Sequence, residues 1–356
     1  MTFVPTPYGP TAARTHGLPG RETRPSTTTV DMHTHVWSVE AAALANQHLE
    51  AGKTGIERLA VSETKSIMAK QVADRRPLQI DWRPRLVDMD AMGIDIQVLT
   101  PVPAQMYQGL PRDVAIKAAT IVNDNIAALA ANRPDRFVAI GAVPLEDMSA
   151  AVEELERGVR QLGLKGVQIP TNLGGREISG PDFAPFWAKA EALEAVVFIH
   201  PTGFTQPERL TRFYLNNTIG NPLETTIALH YLILDGVLER HPELKVVASH
   251  GGAFAAAYSG RMDHAWGARS DAHGELPNPP SSYLRRVYFD SIVFSPHQLE
   301  YLVRTFGADH VMVGTDYPAD MGEYDPLGHL AAVASFTEAE RGAIAGGNAK
   351  RLYNIA

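Results

Sequence analysis

The chain has 356 residues, is 45% hydrophobic and 20% charged, and carries a formal net charge of -8 without a single cysteine. That is enough apolar material for one barrel-sized domain or two smaller ones, and the acidic balance, with no strongly basic segment, argues against a general binder of nucleic acid or membrane surfaces. Lacking thiols, the chain can hold a metal only through His, Asp, Glu or water. No basic-then-apolar leader opens it and no uninterrupted apolar run approaches the eighteen or so residues that span a bilayer, so a cytoplasmic location is expected.

Residues 1–26 are rich in Pro, Thr, Gly and Arg without apolar periodicity and read as a flexible or surface-draped arm. The remainder, 27–356, alternates strand-like and helix-like stretches. Thr28 to His35 is the first candidate strand, and its period of two puts His33 and His35 on one face, a candidate half of a metal site. Residues 36–84 interrupt the rhythm with helical patches at Ala41 to Leu49 and Val61 to Val72, an insertion after strand 1. Seven further candidate strands follow: Ile96 to Thr100, Phe137 to Ala142, Gly166 to Ile169, Ala195 to His200, Lys245 to His250, Val287 to Asp290 and His310 to Thr315. Helical patterns lie between them at Leu110 to Asn132, Ala150 to Leu162, Phe183 to Glu194, Glu224 to Arg240 and Pro296 to Phe306. Eight compact apolar strands alternating with helices predict a distorted TIM (β/α)8 barrel with a small insertion after strand 1. An open doubly wound sheet is the rival, but no glycine-rich dinucleotide signature supports it. The long connections fall after strands, at 36–84, 171–181, 201–223, 262–282 and 317–326, where a barrel builds its active site.

Three apolar strands end in polar residues: His200, His250 and Asp316. Each alone fits a helix cap or a hydrogen-bonded core residue. On one barrel rim they join His33 and His35. His33, His35, His200 and Asp316 then form a three-imidazole, one-carboxylate set suited to Zn²⁺, with Mn²⁺ or Fe²⁺ as alternatives. His250 is read as an unbound acid/base, because imidazole titrates near neutrality. Trp37 and Phe213, in post-strand segments, are candidates for covering an aromatic substrate, and Asp290 for lining the pocket or orienting a catalytic histidine.

The segments Asp31-Met32-His33-Thr34-His35, His200-Pro201, Ser249-His250-Gly251-Gly252 and Gly314-Thr315-Asp316-Tyr317-Pro318 resemble the amidohydrolase superfamily. Within it they resemble the branch that includes 2-amino-3-carboxymuconate-6-semialdehyde decarboxylase, as do Arg85 to Asp90, Gly93 to Leu99 and Pro222 to Ala228. The resemblance implies metal ligation by His33, His35, His200 and Asp316 and catalysis by His250. It also implies a homodimer in which Arg261 reaches the substrate carboxylate in the neighbouring active site. The family's arginine in the first insertion has no clear counterpart; Arg75 and Arg76 lie nearby but outside the expected local motif. The implied activity is non-oxidative decarboxylation of an aromatic or unsaturated carboxylic acid, without an organic cofactor. The same ligands could serve a hydrolase of a lactone, amide or related carbonyl, a hydratase, or a metal-binding scaffold without catalysis.

Overall fold

The computed structural model describes residues 19–49 and 60–355. Among them, eight parallel strands follow in chain order: β1 (Val30–Val36), β2 (Ile96–Pro101), β3 (Phe137–Ala139), β4 (Gly166–Pro170), β5 (Val196–His200), β6 (Lys245–Ala248), β7 (Tyr288–Asp290) and β8 (Val311–Met312). Strands β1 to β3 form one hydrogen-bonded set and β4 to β8 another. Two isolated parallel bridges join the sets, Gly141 to Val167 between β3 and β4, and Thr34 to Tyr317 between β1 and the chain leaving β8. The ring is thereby completed as a distorted (β/α)8 barrel, the fold expected from the strand rhythm.

The strands are near-continuous apolar runs because both of their faces are covered. Inside, Val30, Met32, Val98, Ile140, Val196, Phe198, Val247 and Met312 pack together, with Leu352 and Tyr353 against them. Outside, Leu99, Val167, Ile169, Val197, Ile199 and Val246 belong to a larger core that includes Leu155, Trp187, Leu232 and Phe306 from helices.

Strand β1 departs from simple alternation. Val30 and Met32 lie in the inner cluster, yet the rings of His33 and His35 also face inward, His33 standing 4.7 Å from Phe198. A shift in register between Asp31 and Thr34, where β1 pairs with β2, accommodates the change of parity.

The insertion helix runs Ser62–Ile80, eight residues beyond the expected patch, and carries Pro77 inside it. The expected helix over Glu224 to Arg240 is instead two, Asn221–Leu234 and Val237–Arg240, parted by Gly236 at φ 72°, a left-handed turn that glycine adopts without steric cost. Helix Arg112–Ala131 is long and apolar enough to cross a membrane by length and composition. Four charged residues interrupt it, so a search for unbroken apolar runs passes over it. Here it buries Ala115, Ala118, Ala119, Val122 and Ile126, and its Asn123 side chain exchanges two hydrogen bonds with the Ala142 backbone. Of the arm, residues 1–18 lie outside the described residues. The short helix Pro19–Glu22 packs on helix Pro326–Ala331, and Arg24 pairs with Asp95.

Helix Trp82–Met92 sends Arg85 into the interior, where it is 1% exposed. Its guanidinium donates to Gln97 Oε1 at 3.0 Å, to the His35 carbonyl at 2.6 Å and to the Leu78 carbonyl at 3.2 Å, and lies 4.8 Å from the Tyr317 ring centre. A buried cation persists only when so satisfied, and losing it strands several acceptors. Arg85→Leu is therefore expected to lower unfolding stability by about 3 kcal/mol, read from the urea midpoint at unchanged slope.

Candidate metal centre and active site

The ends of β1, β5 and β8 bring His33, His35, His200 and Asp316 together, with one ligand atom from each lying within 4.8 Å of the others. His33 Nε2 is 3.2 Å from His35 Nε2, and Asp316 Oδ1 lies 3.0 Å from His35 Nε2 and 3.5 Å from His33 Nε2. The opposite nitrogen of each ring is engaged elsewhere. His33 Nδ1 donates to Asp290 Oδ2 at 2.8 Å, His200 Nδ1 to the Pro201 carbonyl at 2.8 Å, and His35 Nδ1 faces the Pro101 carbonyl at 3.1 Å and Thr100 Oγ1 at 2.9 Å. Protonated Nδ1 atoms leave three Nε2 lone pairs converging. His200 Nε2 is buried with no hydrogen-bond partner, a cost that a cation at this point would remove. Three nitrogens and one carboxylate oxygen thus fit a divalent metal and form a metal-binding site.

The electrostatics agree. Burial lowers the pKa of His35 and drives that of His200 well below its ordinary value, with the neighbouring imidazoles adding to the effect at His200. Both are held as the neutral species a metal needs. At His33 burial opposes charge, but the carboxylates of Asp316, Asp290 and Asp31 outweigh it and raise the pKa. The proton favoured there is one a bound cation would displace. Burial works against ionisation of Asp316 too, yet the surrounding histidines, His33 foremost, hold its carboxyl well below the usual range.

Asp290 underlies the whole group. It is fully buried, and besides the His33 ring it accepts the backbone N–H groups of His250 and Gly251 at 2.8 Å each and of Ile292 at 3.1 Å. One carboxylate therefore orients a metal ligand and fixes the backbone bearing His250. Gln168 is tied in as well, its Nε2 donating at 2.9 Å to the same Pro101 carbonyl that faces His35.

His250 stands outside the quartet. Its Nε2 is 3.8 Å from Asp316 Oδ2 and its ring centre 5.1 Å from that of His200. Its backbone holds a left-handed φ of 55°, followed by Gly251 and Gly252 at 62° and 69°. A side chain at either glycine would collide with Val293 or Phe289, which accounts for the pair. With Asp316, His250 lines a cavity of about 400 Å³. The rest of its wall includes Asn217, Thr218, Asn221, Phe254, Ile292, Phe294 and Met321, a mostly apolar chamber with a few polar groups, as small-molecule sites have.

The other expected contacts fall elsewhere. Trp37 lines a separate cavity of about 310 Å³ beside Ile80, Trp82 and Gln105, with the Arg76 guanidinium 3.3 Å from its ring centre. The chain turns outward after β1, where the Trp37 N–H donates to the Gln79 carbonyl. Phe213 is 75% exposed with Arg212 over its ring and does not line the cavity. Asp290, weighed as a pocket residue or an orienter of histidine, takes the second place, sealed behind His33. Arg261 lies exposed on helix Ser259–Ala268, outside the wall of its own chain's cavity. Arg75, which lies outside the expected local motif, is mostly buried and paired with Asp320. Sequence reading missed Asn217, Thr218, Asn221, Ile292, Phe294 and Met321. All follow barrel strands, and that position was the available signal, although the stretch after β7 is too short to stand out.

Three imidazoles and a carboxylate at the C-terminal mouth of a (β/α)8 barrel define a metal-dependent barrel enzyme. The chain belongs to the amidohydrolase family, which matches residues 30–355. It is 32% identical over 334 residues to 2-amino-3-carboxymuconate-6-semialdehyde decarboxylase of Dictyostelium discoideum, spanning 92% of this chain and 91% of that protein. It is 31% identical over 296 residues to gamma-resorcylate decarboxylase of Rhizobium sp. (strain MTP-10005), spanning 76% and 86%. The solved 5-carboxyvanillate decarboxylase of Sphingomonas paucimobilis superposes with a TM-score of 0.82 at 26% identity, covering 93% of this chain and all of that one.

Removing the Asp290 carboxylate while keeping its shape should release His33 from its tautomer and orientation. Asp290→Asn is expected to weaken metal affinity by about 10- to 100-fold, measured by competition with a chromophoric chelator. Unchanged affinity would contradict the orienting role.

Proposed function

We propose that this enzyme carries out metal-dependent, non-oxidative decarboxylation of an aromatic or unsaturated carboxylic acid. The observation that carries the reading is the pairing of the His33–His35–His200–Asp316 quartet with a free imidazole, His250, on the wall of a mostly apolar cavity. The kinship with decarboxylases of aromatic acids supports it. Zinc is the proposed ion, on the strength of the three-nitrogen, one-oxygen donor set, and elemental analysis of freshly purified protein decides between it and manganese or iron.

His33, His35, His200 and Asp316 would hold a divalent cation, which when bound would supply Lewis-acid stabilisation of negative charge on the substrate. Phe254, Ile292 and Phe294 offer the substrate ring an apolar bed and exclude water. His250 Nε2 delivers a proton to the carbon bearing the carboxylate. The carbon–carbon bond then breaks, its electron pair stays with the ring, and CO₂ leaves; the carboxylate plus one proton yields a C–H bond in its place plus CO₂. The His250 backbone, fixed by Asp290, holds the ring in place, with its Nε2 3.8 Å from Asp316 Oδ2.

The second expectation concerns assembly. Arg261 is proposed to reach a neighbouring copy's active site, and its exposure supports that reading. Phe254, Tyr258 and Tyr231 are also exposed, at 43%, 68% and 44%, and offer apolar area for a homodimer contact.

His250→Asn should retain metal yet lower CO₂ release from a panel of aromatic acids about 100-fold or more; products of hydrolysis alone, or undiminished CO₂ release, would defeat the assignment. Arg261→Ala and His250→Asn, each inactive alone, are expected to regain part of the activity when their subunits are mixed, because one mixed site carries both intact residues. Failure of a verified heterodimer to do so would place Arg261 outside the partner's site.

A further inference from the structure

We propose that Asp320 is a charge filter: by occupying Arg75 beside the cavity, it sets the site for acids with one carboxylate and against those with two. The inference rests on the carboxylic-acid reading above and deepens it to a substrate class.

Arg75 comes from the insertion helix Ser62–Ile80, and Asp320 from the loop that follows the metal ligand Asp316. Arg75 Nη1 donates to Asp320 Oδ1 at 2.9 Å, with the two side chains only 14% and 10% exposed. Arg75 Nε donates to the Gln71 carbonyl at 2.9 Å, and the Tyr214 hydroxyl lies 3.4 Å from the same Asp320 oxygen. Burial, reinforced by the Asp320 carboxylate, holds the Tyr214 phenol above its ordinary range, so it is a neutral donor. The group adjoins residues of the cavity wall without itself lining it. The Ala319 N–H donates to the Asp316 carbonyl at 2.7 Å, and Met321, next to Asp320, lines the cavity. Thr218, another lining residue, donates its N–H to the Tyr214 carbonyl at 3.1 Å.

An unpaired guanidinium beside this wall would draw a second substrate carboxylate into a charge-assisted bond. Paired with Asp320 it presents no net charge. A diacid must either displace Asp320, leaving that carboxylate buried and unpartnered, or set its own second carboxylate beside it; both are unfavourable. Among the described residues lining the cavity none is Lys or Arg, so this chain's own wall offers a second carboxylate no guanidinium or ammonium, Arg261 being proposed to come from a neighbouring copy. Discrimination therefore arises from an element that repels the wrong ligand.

The test compares binding of salicylate and 4-hydroxyisophthalate, which differ by one carboxylate, to the metal-loaded protein by titration calorimetry. Wild type should prefer salicylate. Asp320→Asn should shift the ratio of the two dissociation constants toward the diacid by about tenfold or more. Adding Arg75→Gln to it should abolish that shift. The double variant loses both charges together and keeps the test open if Asp320→Asn folds poorly; it should bind salicylate as wild type does. A wild type that prefers the diacid, an Asp320→Asn ratio that stays put, or a double variant that loses salicylate would overturn the filter. CO₂ release is followed separately: binding preference without CO₂ would defeat the decarboxylase reading and leave the filter standing, whereas binding of neither acid would defeat both.

Discussion

The carboxylate of Asp31 is the point on which the barrel mouth depends. It accepts the Thr315 hydroxyl at 2.6 Å, the Thr315 N–H at 3.0 Å, the Gln97 amide at 3.1 Å and the His33 N–H at 3.2 Å. Those bonds join β1 to β2 and to the chain leaving β8, the seam where the ring meets itself. They also sit next to two metal ligands, His33 and Asp316. Complete burial pushes the Asp31 carboxyl up to about 6 even though four donors favour its charge. Arg85, reaching Gln97 and the His35 carbonyl from outside, extends the same network into the helical layer. Closure of the fold and construction of the site are therefore one set of hydrogen bonds.

The second layer is what makes the histidines a site rather than a cluster. Desolvation keeps His35 and His200 neutral, and carbonyl or hydroxyl partners on Nδ1 leave their Nε2 lone pairs inward. Asp290 does the same for His33 with a charged acceptor, and its bond to the His250 backbone sets the position of that proposed acid relative to the metal ligands. Such pre-orientation limits the reorganisation left for the reacting complex. The insertion contributes in a different manner, lending Arg75 to the loop that carries Asp316.

The strand ends were legible because a polar residue closing an apolar run needs a partner, and His33, His35, His200, His250 and Asp316 all stood in that position. The barrel was legible from the strand count. What escaped depends on contacts across the chain. Asp290 meets His33 from 257 residues away, and only a closed ring puts them together. Trp37 looked inward from its place after the metal strand, but the backbone bond to Gln79 carries it to another cavity. Phe213 had the right composition for a lid and sits on the outside instead. Arg75 was hidden because its partner lies 245 residues later, and no local pattern distinguishes a paired guanidinium from a solvated one.

The shift in register within β1 gives this strand an unusual relation to sequence length. Upstream of it Val30 and Met32 face the inner core, and downstream His33 and His35 do, so the strand keeps its period of two but changes phase. A change of residue type at Thr34 or Val36 alters one contact. Gain or loss of a single residue between Asp31 and His35 would exchange the ligand side for the helix side along the remainder of the strand. The segment is therefore far more sensitive to its residue count than to the chemistry of its outward positions, and a change of length is better borne by the loops that follow the strands.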